Sequence, residues 1–598
     1  RYQRLMNKVI KAGVKTKVLM LSATPLNNRM NDLKNQMAFI TEGKDDALES
    51  AGITSIDASL RKAQMAFNKW LKLDDHERNT DKLLEMLNTD YFKLLDSLTI
   101  ARSRKHLEKY YDLKKIGKFP KRLKPKNIYP PIDIKDEFPP LEQVNKLINR
   151  LTLGAYAPLR YLLPEKRAEY SKKYDTVVKG STVLTQADRE NSLINLMRVN
   201  LLKRMESSIH SFGLTVAKLL DSIDNLLYKL EHYKDYTDQT LSISDIDLED
   251  DEFDDMLIGA KVKVLIQDLD RIKWKQALED DKENLEEILR EAFKVQPERD
   301  QKLQELKSLI ETKVKNPINN GNKKVIVFTA FADTAKYLYD NIAEWAKDNL
   351  KVNSAIVTGS GQNKSNMKGV VAKDLNGVLT HFSPQSKNRE TLYPDAKEEI
   401  DILIATDCIS EGQNLQDCDY LINYDIHWNP VRIVQRFGRI DRLGSTNEQI
   451  QLVNFWPNIE LDEYINLEAR VTGRMALMDV SATGEENVIE GKGDKMNDLE
   501  YRRKQLFQLQ DEVIDLEEMS GGLSITDLTL NDFKMDLVSY MEEHKEIVEH
   551  APLGLHALAK IDSEELNGID PGIIFCLRQI KSNAQVQEQS ALAPYYLI

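Results

Sequence analysis

Residues 402–445 constrain this chain more than any other stretch. An apolar run of four, Ile402–Ala405, opens onto a polar loop that holds Thr406, Asp407, Glu411, Gly412, Asn414 and Gln416. A second apolar run, Tyr420–Tyr424, follows, and then Trp428-Asn429-Pro430. Apolar runs this short suit strands buried on both faces of a parallel sheet. A loop leaving the carboxyl end of such a strand lies where open α/β sheets hold their ligands. Asn429 as cap and Pro430 in the first turn start a helix. The stretch therefore reads as strand, polar loop, strand, helix.

Along that helix Gln435 and Arg439 are four apart, and Arg439 and Arg442 three apart, so the spacing predicts all three on one face. Arg436 lies beside them, and Gly438 leaves room for a close approach. Asp441 is the one acid at hand to neutralise the group. An arginine face with so few acids suits a polyphosphate, whose oxygens guanidinium groups bond bidentately. The competing reading, a solvated basic helix paired with acids from elsewhere, must also account for the polar loop and for Trp428-Asn429-Pro430.

The order Thr406-Asp407, Ser410-Glu411-Gly412, Asn414-Leu415-Gln416, Trp428-Asn429-Pro430, Gln435-Arg436, Gly438-Arg439, Asp441-Arg442, Gly444 resembles motifs V and VI of superfamily-two helicases. Within that superfamily it is most similar to the Swi/Snf-type ATPases, and the wording of Ser410-Glu411-Gly412 and Gly438-Arg439-Ile440-Asp441-Arg442 to their bacterial RNA-polymerase-recycling branch, the RapA-like proteins. The resemblance implies a RecA-like motor lobe. It implies arginine fingers at Arg439 and Arg442, ATP-binding roles for Gln435, Glu411, Gly412 and Asn414, and nucleic-acid contacts from Thr406 and other strand ends.

At 598 residues the chain exceeds one core, so two to four domains are expected. Three cysteines, Cys408, Cys418 and Cys576, offer neither a disulfide framework nor a Cys-x-x-Cys zinc spacing, and read as buried small hydrophobes. No metal site is expected. No apolar stretch approaches the roughly 18 residues a membrane span needs, no signal peptide is visible, and a cytoplasmic setting is expected. The net charge of −13 argues against nucleic acid only if charge is even, and it is not. Residues 245–255 hold eight acids, whereas 102–126 hold eleven Lys or Arg against Glu108 and Asp112.

Taken in order, residues 1–45 read as the end of a first RecA-like lobe. The strand candidate Lys17–Leu21 runs into Ser22-Ala23-Thr24, which resembles the family's motif III, the coupling element between lobes. In the family the phosphate-binding glycine loop and the Asp-Glu magnesium site precede motif III. Neither pattern occurs in these residues, so this chain is expected to need an upstream motor lobe, in the same or a second polypeptide, and to be inactive alone. Residues 46–320 read as a mainly helical insertion. Its basic stretch with Arg102, Arg104 and Lys105 resembles the arginine-rich segment that braces DNA in Swi/Snf-type motors; a solvated basic face or a free arm fits equally. The acidic run is read as an exposed loop.

Residues 321–455 read as the second RecA-like lobe, an α/β parallel sheet with Lys324–Phe328 and Ser354–Val357 as further strands. Thr329, Thr358 and Thr406 fall at strand carboxyl ends, where they suit a phosphate backbone. Residues 456–598 read as an accessory α+β region. The expectation is the carboxyl part of an ATP-dependent translocase on double-stranded DNA, using ATP with Mg2+. RNA polymerase or a nuclease is a conceivable partner. A strand-separating DNA or RNA helicase, a motor subunit of a restriction or phage-defence system, and a non-catalytic RecA-like scaffold are the alternatives.

Overall fold

The structure is a computed structural model. It describes residues 2–20, 30–49, 52–70, 86–98 except 88, 104, 107–108, 117–233 except 175, 179–181 and 185, 257–258, 263–456 except 360–362, 369–373, 411 and 428–429, and beyond that 510, 513, 540–541, 544–547, 550, 576–578 and 595–597. Ser22, Ala23, Thr24, Arg102, Lys105, Glu411, the acidic run 245–255 and the cap Asn429 lie outside the described residues. The chain divides into two units, one of residues 118–513 and one of residues 1–117 with 514–598.

The larger unit is built on an eight-stranded sheet: β1 (Lys121–Arg122), β2 (Lys126–Ile128), β3 (Val325–Phe328), β4 (Ser354–Val357), β5 (Lys364–Ser365), β6 (Ile402–Ala405), β7 (Tyr420–Asn423) and β8 (Gln449–Phe455). Their order across the sheet is β1-β8-β7-β3-β6-β4-β5, with β2 also pairing with β8. Every pairing is parallel except β4 with the short edge strand β5. The four central strands are buried throughout, which is why they read as continuous apolar runs rather than alternating ones.

The helices of the lobe and of the helical body beside it that bear on the site include α1 (Gln186–Ser207), α2 (Ile209–Glu231), α3 (Arg271–Lys294), α4 (Gln301–Lys315), α5 (Ala332–Leu350) and α6 (Leu375–Phe382), and α7 (Pro430–Phe437) carries the arginines. One sheet face packs Val325, Val327, Ile402, Ile404 and Ile422 against Leu303, Leu306 and Ile310 of α4 and Leu338 and Ile342 of α5. The other face packs Ile326, Phe328, Leu403 and Leu421 against Val378, Leu379 and Phe382 of α6 and Phe437 of α7. Successive strand residues point to opposite faces, so the two cores share each strand. Each buried Val, Ile or Leu contributes about 1.5–3 kcal/mol relative to exposure. This is the RecA-like lobe expected. The sheet also reaches outside 321–455: α4 covers one face, and residues 121–128, a basic stretch by composition, supply its edge.

Between these sheet segments lies the helical body. Phe212 and Val216 of α2 pack with Trp274, Leu278 and Leu285 of α3, all fully buried. Asp270 caps α3 by accepting from the Lys273 amide at 3.1 Å. Asp300 does the same for α4 at the Leu303 amide, 3.0 Å. On α1 Leu193 is exposed, whereas Leu201 is buried.

The body is joined to the lobe by a buried polar junction. The Asp425 carboxylate accepts from the Ser207 hydroxyl at the end of α1 (2.6 Å), the Thr329 hydroxyl (2.5 Å) and the Ala330 amide (2.8 Å). Thr334 of α5 lies 2.9 Å from both Ser207 and Ser211. Lys302 donates to the Glu206 and Ser207 carbonyls, 2.6 and 3.2 Å, where the dipole of α1 favours a cation. Its ammonium also stands 4.5 Å from the Tyr424 ring centroid.

The smaller unit has its own core of Leu33, Met37, Ile53, Trp70, Tyr91, Leu94 and Leu95. In it Cys576–Arg578 and Tyr595–Leu597 pair antiparallel. No helix among the described residues is long and apolar enough to cross a membrane.

Candidate nucleotide site

The loops that leave β6 and β7 and the end of α7 meet on Arg436. It is fully buried, and its guanidinium uses three of its nitrogens. Nε donates to Asp407 Oδ1 at 2.7 Å and Nη2 to Asp407 Oδ2 at 3.1 Å, while Nη1 reaches Asn423 Oδ1 at 3.0 Å and the Asp425 carbonyl at 3.2 Å. Its charge lies 5.4 Å from the Phe328 ring centroid. Burial pushes the Asp407 carboxyl up, but the Arg436 charge and hydrogen bonds outweigh it and hold the group below the usual carboxylate range. One residue thus fastens the Thr406–Asn414 loop, the end of β7 and the arginine helix together. Its role was not legible from spacing, which placed it only beside the arginine face. Burial, first, and the nearby Arg436 charge bring His427 down to about 4, so it stays neutral near pH 7.

The expected helix carrying Gln435, Arg439 and Arg442 on one face needs correcting. The helix ends at Phe437, and Gly438–Ile440 form a turn. Here the Arg439 and Ile440 amides donate to the carbonyls three residues back, Arg436 and Phe437, at 3.0 Å each. Bonds of this tighter kind close a last turn, and glycine is a weak helix former. The residues nevertheless stay together. Arg439 is nearly buried and donates from Nε to the Gln435 carbonyl (3.1 Å) and from Nη1 to the Gln413 carbonyl (3.1 Å). Arg442 donates from Nε to the Gly438 carbonyl at 3.2 Å, and burial lowers its pKa. Asp441, expected to neutralise the group, pairs with Arg122 of β1 at 2.6 Å.

Gly412 and Asn414 stand exposed on the rim of the loop. Gly412 has φ +72, a conformation L residues rarely adopt, and a Cβ there would meet nothing within 4 Å. The loop's far end is fixed by Asp417, which accepts from the amides of Gln385 (2.6 Å) and Ser386 (3.0 Å) and from the Ser386 hydroxyl. That contact brings Lys387 to the Gln413 side chain, Nζ to Oε1 2.5 Å. Sequence reading missed Lys387, because it lies in a polar connection without a recognisable pattern.

The threonines divide. Thr358 and Thr406 end the adjacent parallel strands β4 and β6. Both are largely buried; the Thr406 hydroxyl donates to Cys408 Sγ at 3.4 Å. Thr329, expected at a phosphate backbone, is fully buried with its hydroxyl on Asp425, so it ties the lobe to the helical body instead. Thr329→Val should therefore lower stability by about 1.5–3 kcal/mol in urea titration, the usual scale of a hydrogen bond to a charged group. Cys408, expected buried, is exposed, whereas Cys418 is buried as expected. Arg104 is ion-paired with Glu108 one helical turn on, at 3.2 Å. Among the described residues no group of three or more His, Cys, Asp or Glu is arranged to hold a metal ion.

Residues 301–444 match the helicase conserved C-terminal domain. A stretch of 66 residues is 46% identical to the uncharacterized ATP-dependent helicase YqhH of Bacillus subtilis, covering 11% of this chain and 12% of that protein. A stretch of 87 residues is 34% identical to the ATP-dependent RNA helicase CshA of Listeria monocytogenes, covering 14% and 16%. The matched stretches thus span less than a fifth of either relative. Among solved structures, the Hef helicase domain of Pyrococcus furiosus aligns over 66% of this chain and 65% of its own at 14% identity, with a TM-score of 0.29. The lobe built on α4 and the central strands is a helicase carboxyl-terminal lobe.

Proposed function

We propose that this chain is the carboxyl-terminal part of a Swi/Snf-type motor that couples ATP hydrolysis to movement along double-stranded DNA. The observation that carries the reading is that Arg439 meets the Gly412–Asn414 loop through the Gln413 carbonyl, while the Arg436–Asp407 fork ties that loop to the arginine helix, at a strand end of the kind where parallel sheets hold ligands. Cationic donors around a glycine-opened loop fit the phosphates of ATP. In this reading Arg439 and Arg442 act as arginine fingers, Gln435 senses the nucleotide, and Glu411, Gly412 and Asn414 link the site to the nucleic-acid track. Phosphoryl transfer depends on positioning and on charge placed near the developing oxyanions, which is what such fingers supply. Thr358, Thr406 and the Arg102, Arg104, Lys105 segment are the proposed DNA contacts. Ser22, Ala23 and Thr24 are the proposed coupling element, and the phosphate-cradling and magnesium-holding residues are assigned to an upstream lobe. RNA polymerase or a nuclease is the proposed kind of partner.

A second reading, a strand-separating RNA helicase, draws on the RNA helicases among the relatives. The test measures ATP hydrolysis by this chain joined to its upstream lobe, with duplex DNA, single-stranded RNA or neither, beside unwinding of a forked substrate. Stimulation by duplex DNA without strand separation supports the translocase. Stimulation by RNA with unwinding supports the second reading, and no turnover in any condition sinks both.

A further inference from the structure

We propose that Lys387 is a third cation of the polyphosphate site, acting beside Arg439 and Arg442; this rests on the reading of that site as the nucleotide site. Three observations carry it. The first is convergence on a single residue: Gln413 takes the Lys387 ammonium on its side-chain oxygen at 2.5 Å and the Arg439 guanidinium on its backbone carbonyl at 3.1 Å. Two cations are thus brought to the two oxygens of one neutral residue, between the exposed Gly412 and Asn414.

The second is that Lys387 is placed rather than free. The turn before it is fastened to the loop by Asp417, through the Gln385 and Ser386 amides and the Ser386 hydroxyl. The Lys387 amide itself donates to the Ser383 carbonyl at 3.1 Å. Asp417 is in turn set in the lobe, its carbonyl accepting from Asn322 Nδ2 at 2.9 Å. An ammonium on a fixed stem loses less freedom on meeting a phosphate than one on a loose chain.

The third is electrostatic. Lys387 is half-buried, and its pKa is lowered first by burial and then by the charge of Arg442. Like charges gathered in a partly dry place disfavour one another. A polyphosphate relieves that repulsion, and its oxygens are better acceptors for an ammonium than a neutral amide. Gln413 then serves as a placeholder whose oxygen a phosphate oxygen replaces at Lys387.

The test is calorimetric titration of the chain joined to the proposed upstream lobe, the form used for the hydrolysis test, with sodium tripolyphosphate and with ATP in parallel. Wild type is expected to bind both. Lys387→Gln should weaken tripolyphosphate binding about tenfold, the scale of one charge-assisted hydrogen bond, while Lys387→Arg keeps most of it. Gln413→Met removes the placeholder but not the cation and should leave affinity equal or higher; a merely structural role for Lys387 predicts that it falls with Lys387→Gln. Thermal melting of each variant guards against misfolding. Lys387→Gln binding as wild type does, with Arg439→Ala weakened, overturns the Lys387 assignment and leaves the nucleotide site standing. Wild type failing to bind either ligand overturns both.

Discussion

On the proposed function, Arg439→Ala is expected to lower ATP turnover, measured with the proposed upstream lobe supplied, by about a thousandfold or more, the scale of other phosphoryl-transfer fingers. Arg439 is nearly buried, with Nε on the Gln435 carbonyl and Nη1 on the Gln413 carbonyl. The Gln435 and Gln413 carbonyls are neutral acceptors, weaker for a guanidinium than the charged oxygens of a phosphate. The loss should fall on kcat more than on KM, because charge supplied where it develops in the transition state speeds the chemical step. Arg439→Lys should recover little, since an ammonium lacks the planar fork. Steady-state kinetics of the three proteins decide it. An alanine variant within tenfold of wild type would remove Arg439 from the chemistry and move the finger to Arg442.

Arg436→Ala has the second large effect, on stability rather than chemistry. Truncation leaves the Asp407 carboxylate without its fork and strips the donors from Asn423 Oδ1 and the Asp425 carbonyl. Removing one partner of a buried ion pair costs about 3–5 kcal/mol, because the remaining charge stays in a dry place. Asp407 keeps some contact with solvent, a quarter of its side-chain surface, so the lower end, about 3 kcal/mol, is expected. Urea denaturation followed by circular dichroism reads it. The double variant Arg436→Ala with Asp407→Ala should be less destabilised than the sum of the two singles, since the orphaned charge goes with its partner. Strict additivity would mean that the fork is not the source of the loss.

These two arginines, three residues apart, mark what could be read from the chain and what could not. The strands at 325–328, 354–357 and 402–405 were legible because short apolar runs have few other fates in an α/β chain. The grouping of the polar loop with the arginines was legible because polar residues crowd one strand end and arginines follow at short spacing. Spacing overstated the helix, which stops at Phe437, since periodicity registers where a face continues but not where carbonyls three residues back begin to capture the amides.

The sequence by itself determined the RecA-like lobe, the edge of the sheet that carries the candidate site, and the arginines gathered there. All of these follow from neighbours along the chain: burial period, cap, turn and spacing. Only the tertiary structure decided that Arg436 is buried on Asp407 while Arg439 reaches the Gln413 carbonyl, that Thr329 belongs to Asp425 and Ser207, that residues 121–128 edge the sheet, and that Lys387 meets Gln413. Each depends on a partner distant in sequence: Asp425 lies 218 residues from Ser207, and Asp407 lies 29 from Arg436. A charge or hydroxyl carries no record in its own neighbourhood of which distant group will satisfy it. That choice is made when the chain packs.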